Sequence, residues 1–245
     1  MIFDFHTHNA GPVSTETADS IMRYADKFMT LGDIFACGKT PDPDGIRQIN
    51  DMSYEFVNRD PANRYAACFI NPCNSTEACI EEMRFRILKQ GFRAVKLEIN
   101  LICTDPAMTP LLQEIARLKV PLVQHCWRKT TARYAGESFP EDIAVMAARH
   151  SNVNIVMAHL SNCGYQGIAQ VAGLKNIYCD TSGGLPEGSV LEYALGKLGA
   201  KRILFGSDIA YRNTASQLGR VLGCVTNPAK RKLILHKNAE RLLGL

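Results

Sequence analysis

Two histidines stand one residue apart in FDFHTH, Phe3 to His8, at the end of an apolar N-terminal run. Side chains two apart on a strand project from the same face, so His6 and His8 are expected to point together and to share one ion. Neutral imidazole bonds zinc at roughly 2.0–2.1 Å, which same-face neighbours can satisfy at a single metal. Asp4, one step deeper on that face, is placed to orient a histidine from behind. An isolated His-x-His is as readily polar decoration where a strand meets water. Three further positions change the balance: PLVQHC ends in His125, NIVMAHLSN carries His159, and RILFGSD ends in Asp208. Each follows an apolar run of the kind buried on both sides. Imidazoles with a carboxylate are the donor set of a catalytic zinc, manganese or iron site. The other two histidines, His150 and His236, fall at predicted helix ends, where a favourable dipole or a surface position explains them.

The elements that must position these groups alternate along the whole chain. Strands are expected at Ile2 to His8, Asp33 to Cys37, Tyr65 to Asn71, Ala94 to Ile99, Pro121 to Cys126, Asn154 to His159, Ile177 to Thr181 and Arg202 to Ser207. Between them lie helical patterns, among them Thr76 to Gln90, Thr109 to Lys119, Pro140 to His150, Gly164 to Ala172 and Pro186 to Leu198. Asn227 to Leu243 reads as a terminal helix entered through Pro228. Eight βα repeats at about 30 residues each match an α/β fold of the closed (β/α)8 TIM barrel type, taken as a single domain over 1–245. An open doubly wound sheet would carry a glycine-rich phosphate loop after its first strand, where this chain has HTHNAGP. Barrels of this kind place reacting groups at the C-terminal ends of their strands, which is where His6, His8, His125, His159 and Asp208 fall.

Composition narrows the classes. The 245 residues are 46% hydrophobic and 21% charged, enough apolar material for a sizeable core. A net charge of +4, with the basic residues scattered, is no footprint for nucleic acid. No uncharged apolar run approaches membrane-spanning length, and no secretory leader pattern is visible, so a cytoplasmic location without membrane contact is expected. Nine dispersed cysteines, none in a CxxC pair, suit buried thiols in a reducing compartment. Cys126 and Cys163 fall near the expected mouth and are read as packing residues, since no adjacent base marks either as a nucleophile.

FDFHTH, PLVQHC, VMAHLS and ILFGSD, in that order at successive strand ends, resemble the metal-binding signature of the amidohydrolase superfamily. The closing HKNAERLLGL is similar to the terminal helix of its amidohydrolase 2 branch, which contains hydrolases, decarboxylases and hydratases. The resemblance implies that His6, His8, His125 and Asp208 surround a divalent metal, zinc first, with manganese or iron as alternatives. It further implies that Asp208 acts as the base toward water activated at the ion. His159 would be a ligand of a second metal in two-metal members, or a catalytic acid and polarising group in one-metal members. Lys96, in GFRAVKLEIN, shares a face with Ala94 and Glu98 and should point into the barrel. In some members such a lysine is carboxylated and bridges two metals; the alternative is a charged lysine that pairs with Glu98 or holds an anionic substrate. The VKL context, similar to that of one-metal members, favours the uncarboxylated form. Lys39, Trp127, Arg128, Lys129 and Arg212 follow strand ends, and Arg128, three residues past His125, is the first choice to grip a substrate carboxylate or phosphate.

The expected activity is therefore that of a metal-dependent hydrolase acting on a small ester, lactone or amide, with a decarboxylase or hydratase on the same metal as the alternative. A protein that retains the metal without turnover is the remaining class. Metal-dependent DNA hydrolysis is disfavoured by the modest charge and by a lysine where such nucleases have glutamate. The expected partner is a small-molecule substrate, anions included, with assembly into a homo-oligomer left open.

Overall fold

The computed structural model describes residues 1–9, 23–33, 41–129, 131–184 and 186–245. Its strands are β1 (Phe3–Thr7), β2 (Lys27–Thr30), β3 (Arg64–Phe69), β4 (Ala94–Leu97), β5 (Leu122–Gln124), β6 (Ile155–Met157), β7 (Ile177–Asp180) and β8 (Ile203–Leu204). They form one parallel sheet in sequence order. The last strand returns to the first: Phe5 N donates to Phe205 O at 2.9 Å and Asp208 N to His6 O at 2.8 Å. These bonds curl the sheet into the TIM barrel that the alternation predicts.

Helices α1 (Pro43–Asn58), α2 (Thr76–Gln90), α3 (Met108–Leu118), α4 (Pro140–Arg149), α5 (Leu160–Val171), α6 (Gly188–Leu198) and α7 (Thr214–Cys224) cover the outside. Local chemistry fixes several of their ends. Asp42 accepts from Gly45 N ahead of Pro43, and Ser75 accepts from Ala78 N, each satisfying a first-turn donor. The expected terminal helix is split into α8 (Pro228–Lys232), a wide π-type turn at Leu233–Lys237, and α9 (Asn238–Leu243). Asn238 explains its conservative path: its amide donates to Ala200 O and Ile203 O, both at 2.7 Å, and so ties the segment to β8.

Two apolar layers follow from strand alternation. Cys68, Val95, Leu97, Ile155, Met157 and Phe205 face the helices, whereas Phe3, Phe5, Ala94, Val123, Val156 and Leu204 fill the barrel interior. Ala239 and Leu243 of α9 join the interior cluster. The polar mouth residues therefore stand on a packed apolar floor.

The second strand is displaced from its expected place. It lies at Lys27–Thr30, six residues upstream of Asp33, and of the segment expected to form it only Asp33 is among the described residues. KFMT is too short to outbid the longer apolar DIFAC as a sequence pattern. Pairing decides instead: Phe3 aligns with Lys27 and Phe28 with Arg64, bridging β1 to β3. As a result Asp33 sits beyond the C-terminal end of β2, at the mouth. Among the described residues no helix is long and apolar enough to cross a membrane.

Candidate metal centre

Four polar groups converge over the C-terminal ends of β1, β6 and β8. His8 Nε2 lies 3.4 Å and His6 Nε2 3.6 Å from Asp208 Oδ1, and His159 Nε2 lies 3.8 Å from Asp208 Oδ2. The rings of His6 and His8 are 5.4 Å apart, and those of His6 and His159 are 4.9 Å apart. His6, His159 and Asp208 each offer a ligand atom within 4.8 Å of the others, and all three side chains are buried.

The backbone is bent to achieve this. Val156 and Ala158 face the interior, so simple alternation would send His159 outward. His159 instead adopts φ 66° and ψ 58° where the chain enters α5, and its ring lies against His6 and His125. Asp208 has φ 65°. Left-handed backbone at a non-glycine residue costs on the order of 1–3 kcal/mol, and here it falls on two residues of the same cluster. On β1 the register shifts between Asp4 and Thr7. Phe5 can thus pack inside while His6 still meets its partners, a re-aiming that irregular strands allow.

Neighbouring groups set the protonation of the cluster. His8 Nδ1 lies 2.5 Å from Gly32 O, which can only accept, so Nδ1 carries a proton; burial opposes a second one, but Asp208 raises the ring's pKa overall, and the charged ring donates from Nε2 to Asp208. Gly32 is required there: its φ is +66°, and a Cβ would lie 2.8 Å from Ile49 Cγ2. Burial alone would raise the Asp208 carboxyl, but the hydrogen bond from His8, with the His159 and His6 rings beside it, holds it well below the usual carboxylate range. Burial holds the His159 imidazole well below its ordinary value, aided by His125, His6 and Lys96, despite the opposing charge of Asp208. Burial likewise lowers His6, against the pull of Asp180.

These residues fit a divalent ion. Among the described residues, His6 Nε2 and His159 Nδ1 are buried without a hydrogen-bond partner, a costly state that a cation near them would relieve. Neutral imidazoles beside an ionised carboxylate are the donors that zinc, manganese or iron accepts. His125 departs from the expected cradle. It stands beside His159, with ring centroids 4.8 Å apart, but its Nδ1 lies 3.2 Å from Glu98 and its Nε2 3.3 Å from Glu137. Burial opposes its charged form, yet Glu98 and Glu137 raise its pKa overall. Lys96 is fully buried on β4 with Nζ 3.0 Å from Glu98 Oε1, so of the two charged-lysine roles the structure shows the Glu98 pair.

Above the cluster a cavity of about 240 Å³ opens between Trp127, Tyr211, Arg212, His8, His125 and His159. Trp127 lies nearly parallel to His125, and the Arg212 guanidinium sits 5.5 Å above the indole. Arg212 Nε is also 3.7 Å from Asp208. Arg128 is not among the residues lining this cavity; it is drawn to Glu141 and stacks near Phe139. Lys129 pairs with Glu137, and Lys39 lies outside the described residues. Cys126 and Cys163 are buried, consistent with packing.

Asp4 takes a different part from the one its spacing implies. Its carboxylate accepts from Tyr24 Oη, Ser207 N and His6 N, so it anchors backbone at the β1–β8 seam and touches no imidazole. The carboxylate behind a histidine is Asp180, whose Oδ2 lies 2.7 Å from His6 Nδ1. Asp180 closes β7, so the strand-end rule that singles out His125 also reaches it. Glu137 and Tyr211 lie in loops, where periodicity carries no signal.

A family model described as amidohydrolase matches residues 42–245. No curated protein matches the chain. Among solved structures, 2,6-dihydroxybenzoate decarboxylase from Rhizobium superposes with a TM-score of 0.76 at 18% identity, covering 99% of this chain and 98% of that one. A dihydroxybenzoic acid decarboxylase from Polaromonas, with bound manganese and the inhibitor 2-nitroresorcinol, gives 0.73 at 14% identity over 100% and 97%. A Pseudomonas putida protein provisionally assigned as a 2-pyrone-4,6-dicarboxylic acid hydrolase gives 0.71 at 17% identity over 99% and 97%. At such identities the structural likeness speaks for the barrel, while the family match spans most of the sequence and includes the strand ends that carry His125, His159 and Asp208: the chain belongs to the amidohydrolase family.

Proposed function

We propose that this protein is a metal-dependent enzyme that decarboxylates a small, flat, anionic substrate. The observation that carries this reading is the pairing, in one cavity, of a histidine–aspartate cluster with an aromatic face and a guanidinium, Trp127 and Arg212. In this reading His6, His8, His125 and Asp208 hold one divalent ion, zinc, manganese or iron, with His125 exchanging its contact with Glu98 for the metal. The bound ion supplies a Lewis acid that polarises a substrate oxygen. Trp127 offers a planar surface on which a conjugated ring can stack, and Arg212 a two-pronged donor for its carboxylate. His159, neutral and buried, is suited to take a proton from a substrate hydroxyl or water and pass it to the substrate carbon as carbon dioxide departs, since burial makes its imidazolium a ready donor. Lys96 beneath the site keeps Glu98 ionised and adds positive charge near the substrate anion.

The chemistry of the relatives supports a carboxylated substrate: two are named for decarboxylation of dihydroxybenzoates, and the third for a pyrone dicarboxylate. That third protein favours a second reading, hydrolysis of a lactone or similar ester or amide, in which Asp208 serves as base toward water.

The test is a substrate screen with manganese- or zinc-loaded protein against hydroxybenzoates and small lactone acids. Carbon dioxide release with no water added to the substrate is expected. Ring opening without carbon dioxide would establish the hydrolase instead, and turnover undiminished in H159A would remove His159 from the chemistry.

A further inference from the structure

Asp180 is fully buried at the end of β7 and has two sets of partners. Its Oδ2 lies 2.7 Å from His6 Nδ1. Its Oδ1 accepts from Ser182 N at 3.0 Å, from His159 N at 3.1 Å, and from the Ser182 hydroxyl. Ser182 Oγ also lies 3.1 Å from His6 Nδ1, with its lone pairs free to accept because its own proton goes to Asp180. Among the described residues every neighbour of His6 Nδ1 is therefore an acceptor, and the ring proton sits there. The opposite nitrogen, Nε2, is then a bare lone pair, and it is the buried atom with no hydrogen-bond partner beside Asp208. The same carboxylate holds the N–H of His159, whose left-handed backbone needs an anchor.

We propose that Asp180 is a positioning residue for the metal centre: one carboxylate sets the tautomer of His6 so that Nε2 faces the ion, and pins the backbone that turns His159 inward. The inference rests on the reading of His6 as a metal ligand. Carboxylates behind ligating histidines typically tune affinity in this manner.

The arrangement makes an unusual demand of the near-isosteric variant. In Asp180→Asn, the three donors at Oδ1 require the amide oxygen to stay there, so the amide NH2 must face His6 Nδ1. That group donates, which forces the ring proton onto Nε2 and blocks the ligand lone pair. A tautomer inverted by an Asp-to-Asn change behind a histidine disables a site whose geometry is otherwise intact. Ser182→Ala, by contrast, leaves the Asp180–His6 contact in place.

Long-range 1H–15N correlation on metal-free protein labelled at histidine reads the tautomer directly, with His6 assigned by its loss in His6→Gln. The wild type is expected to carry the proton on Nδ1, and D180N on Nε2. Chelator competition with Mn2+ should show D180N binding more weakly by on the order of 10- to 100-fold, and S182A within a few-fold of wild type. A wild-type spectrum with the proton on Nε2 overturns the proposal without any variant. So does a folded D180N, judged by its metal-free melting curve, that keeps wild-type metal affinity. A wild type that shows the Nδ1 proton but binds no Mn2+ refutes the metal reading itself, and is told apart because the tautomer is measured without metal.

Discussion

Gly206 offers a sharp test of how closely β1 and β8 must approach for the centre to exist. It follows the last strand and precedes Ser207 and Asp208, and a Cβ built on it would lie 2.7 Å from His6 Cβ and 3.4 Å from Asp180 Cβ. Its φ lies outside the left-handed range, so Gly206→Ala adds bulk without backbone strain. Ordinary contact begins at 3.4 Å, and the obstructing atom is a Cβ that no rotamer change can move. His6 must therefore retreat by about 0.7 Å, several times the ±0.2 Å within which metal–ligand distances are normally held. Overpacking of this kind costs about 1–3 kcal/mol, which for a chain of this length lowers Tm by roughly 2–12 °C. Metal affinity should fall further than stability explains, by on the order of 10- to 100-fold at temperatures where the variant is fully folded. Thermal melting of the metal-free protein and chelator competition separate the two effects. Gly219→Ala is the control: it lies in α7 with nothing within 4 Å of the added Cβ, and should be neutral or slightly stabilising. A folded G206A that binds Mn2+ or Zn2+ with wild-type affinity would refute the claim that the His6–β8 approach sets the ligand geometry.

Asp4 predicts a pH dependence in the metal-free protein. Burial pushes its carboxyl up to about 6, the hydrogen bonds from Ser207, Tyr24 and His6 offsetting this only in part. Because the folded value exceeds the unfolded one, its contribution is complete below pH 4 and lost as pH rises through 6, amounting to about 3 kcal/mol by pH 7. The stability of Asp4→Asn relative to wild type should therefore increase between pH 4 and 7 in denaturant titrations, and a constant difference would contradict this assignment. Substrate grip is tested by Arg212→Ala, which should raise KM for a carboxylate substrate at least tenfold, whereas Arg128→Ala, tied to Glu141 away from the cavity, should leave KM within about threefold. Equal effects on KM would return Arg128 to the site.

Periodicity and residue type carried the architecture. Seven of the eight strands lie where apolar β-rich runs predict them, because buried parallel strands must be apolar on both faces. The strand-end rule alone picks out His6, His8, His125, His159 and Asp208, since in a barrel a polar group after such a run can only face the mouth or the helix layer. What the sequence could not decide was set by contacts distant along the chain. The second strand is set by the pairing of Lys27–Thr30 with β1 and β3, contacts that the short KFMT pattern does not announce. The carboxylate behind His6 is Asp180 and not Asp4, because the β1 register shift breaks the two-residue alternation on which Asp4 is placed. The arginine facing the cavity is Arg212 and not Arg128, because Glu141 lies within reach of Arg128 from the first turn of α4. Left-handed turns at His159 and Asp208 finished the cluster, and no local pattern announces them, for their strain is tolerated only where surrounding bonds hold the chain. Sequence thus specified which groups reach the mouth; tertiary packing specified which of them touch.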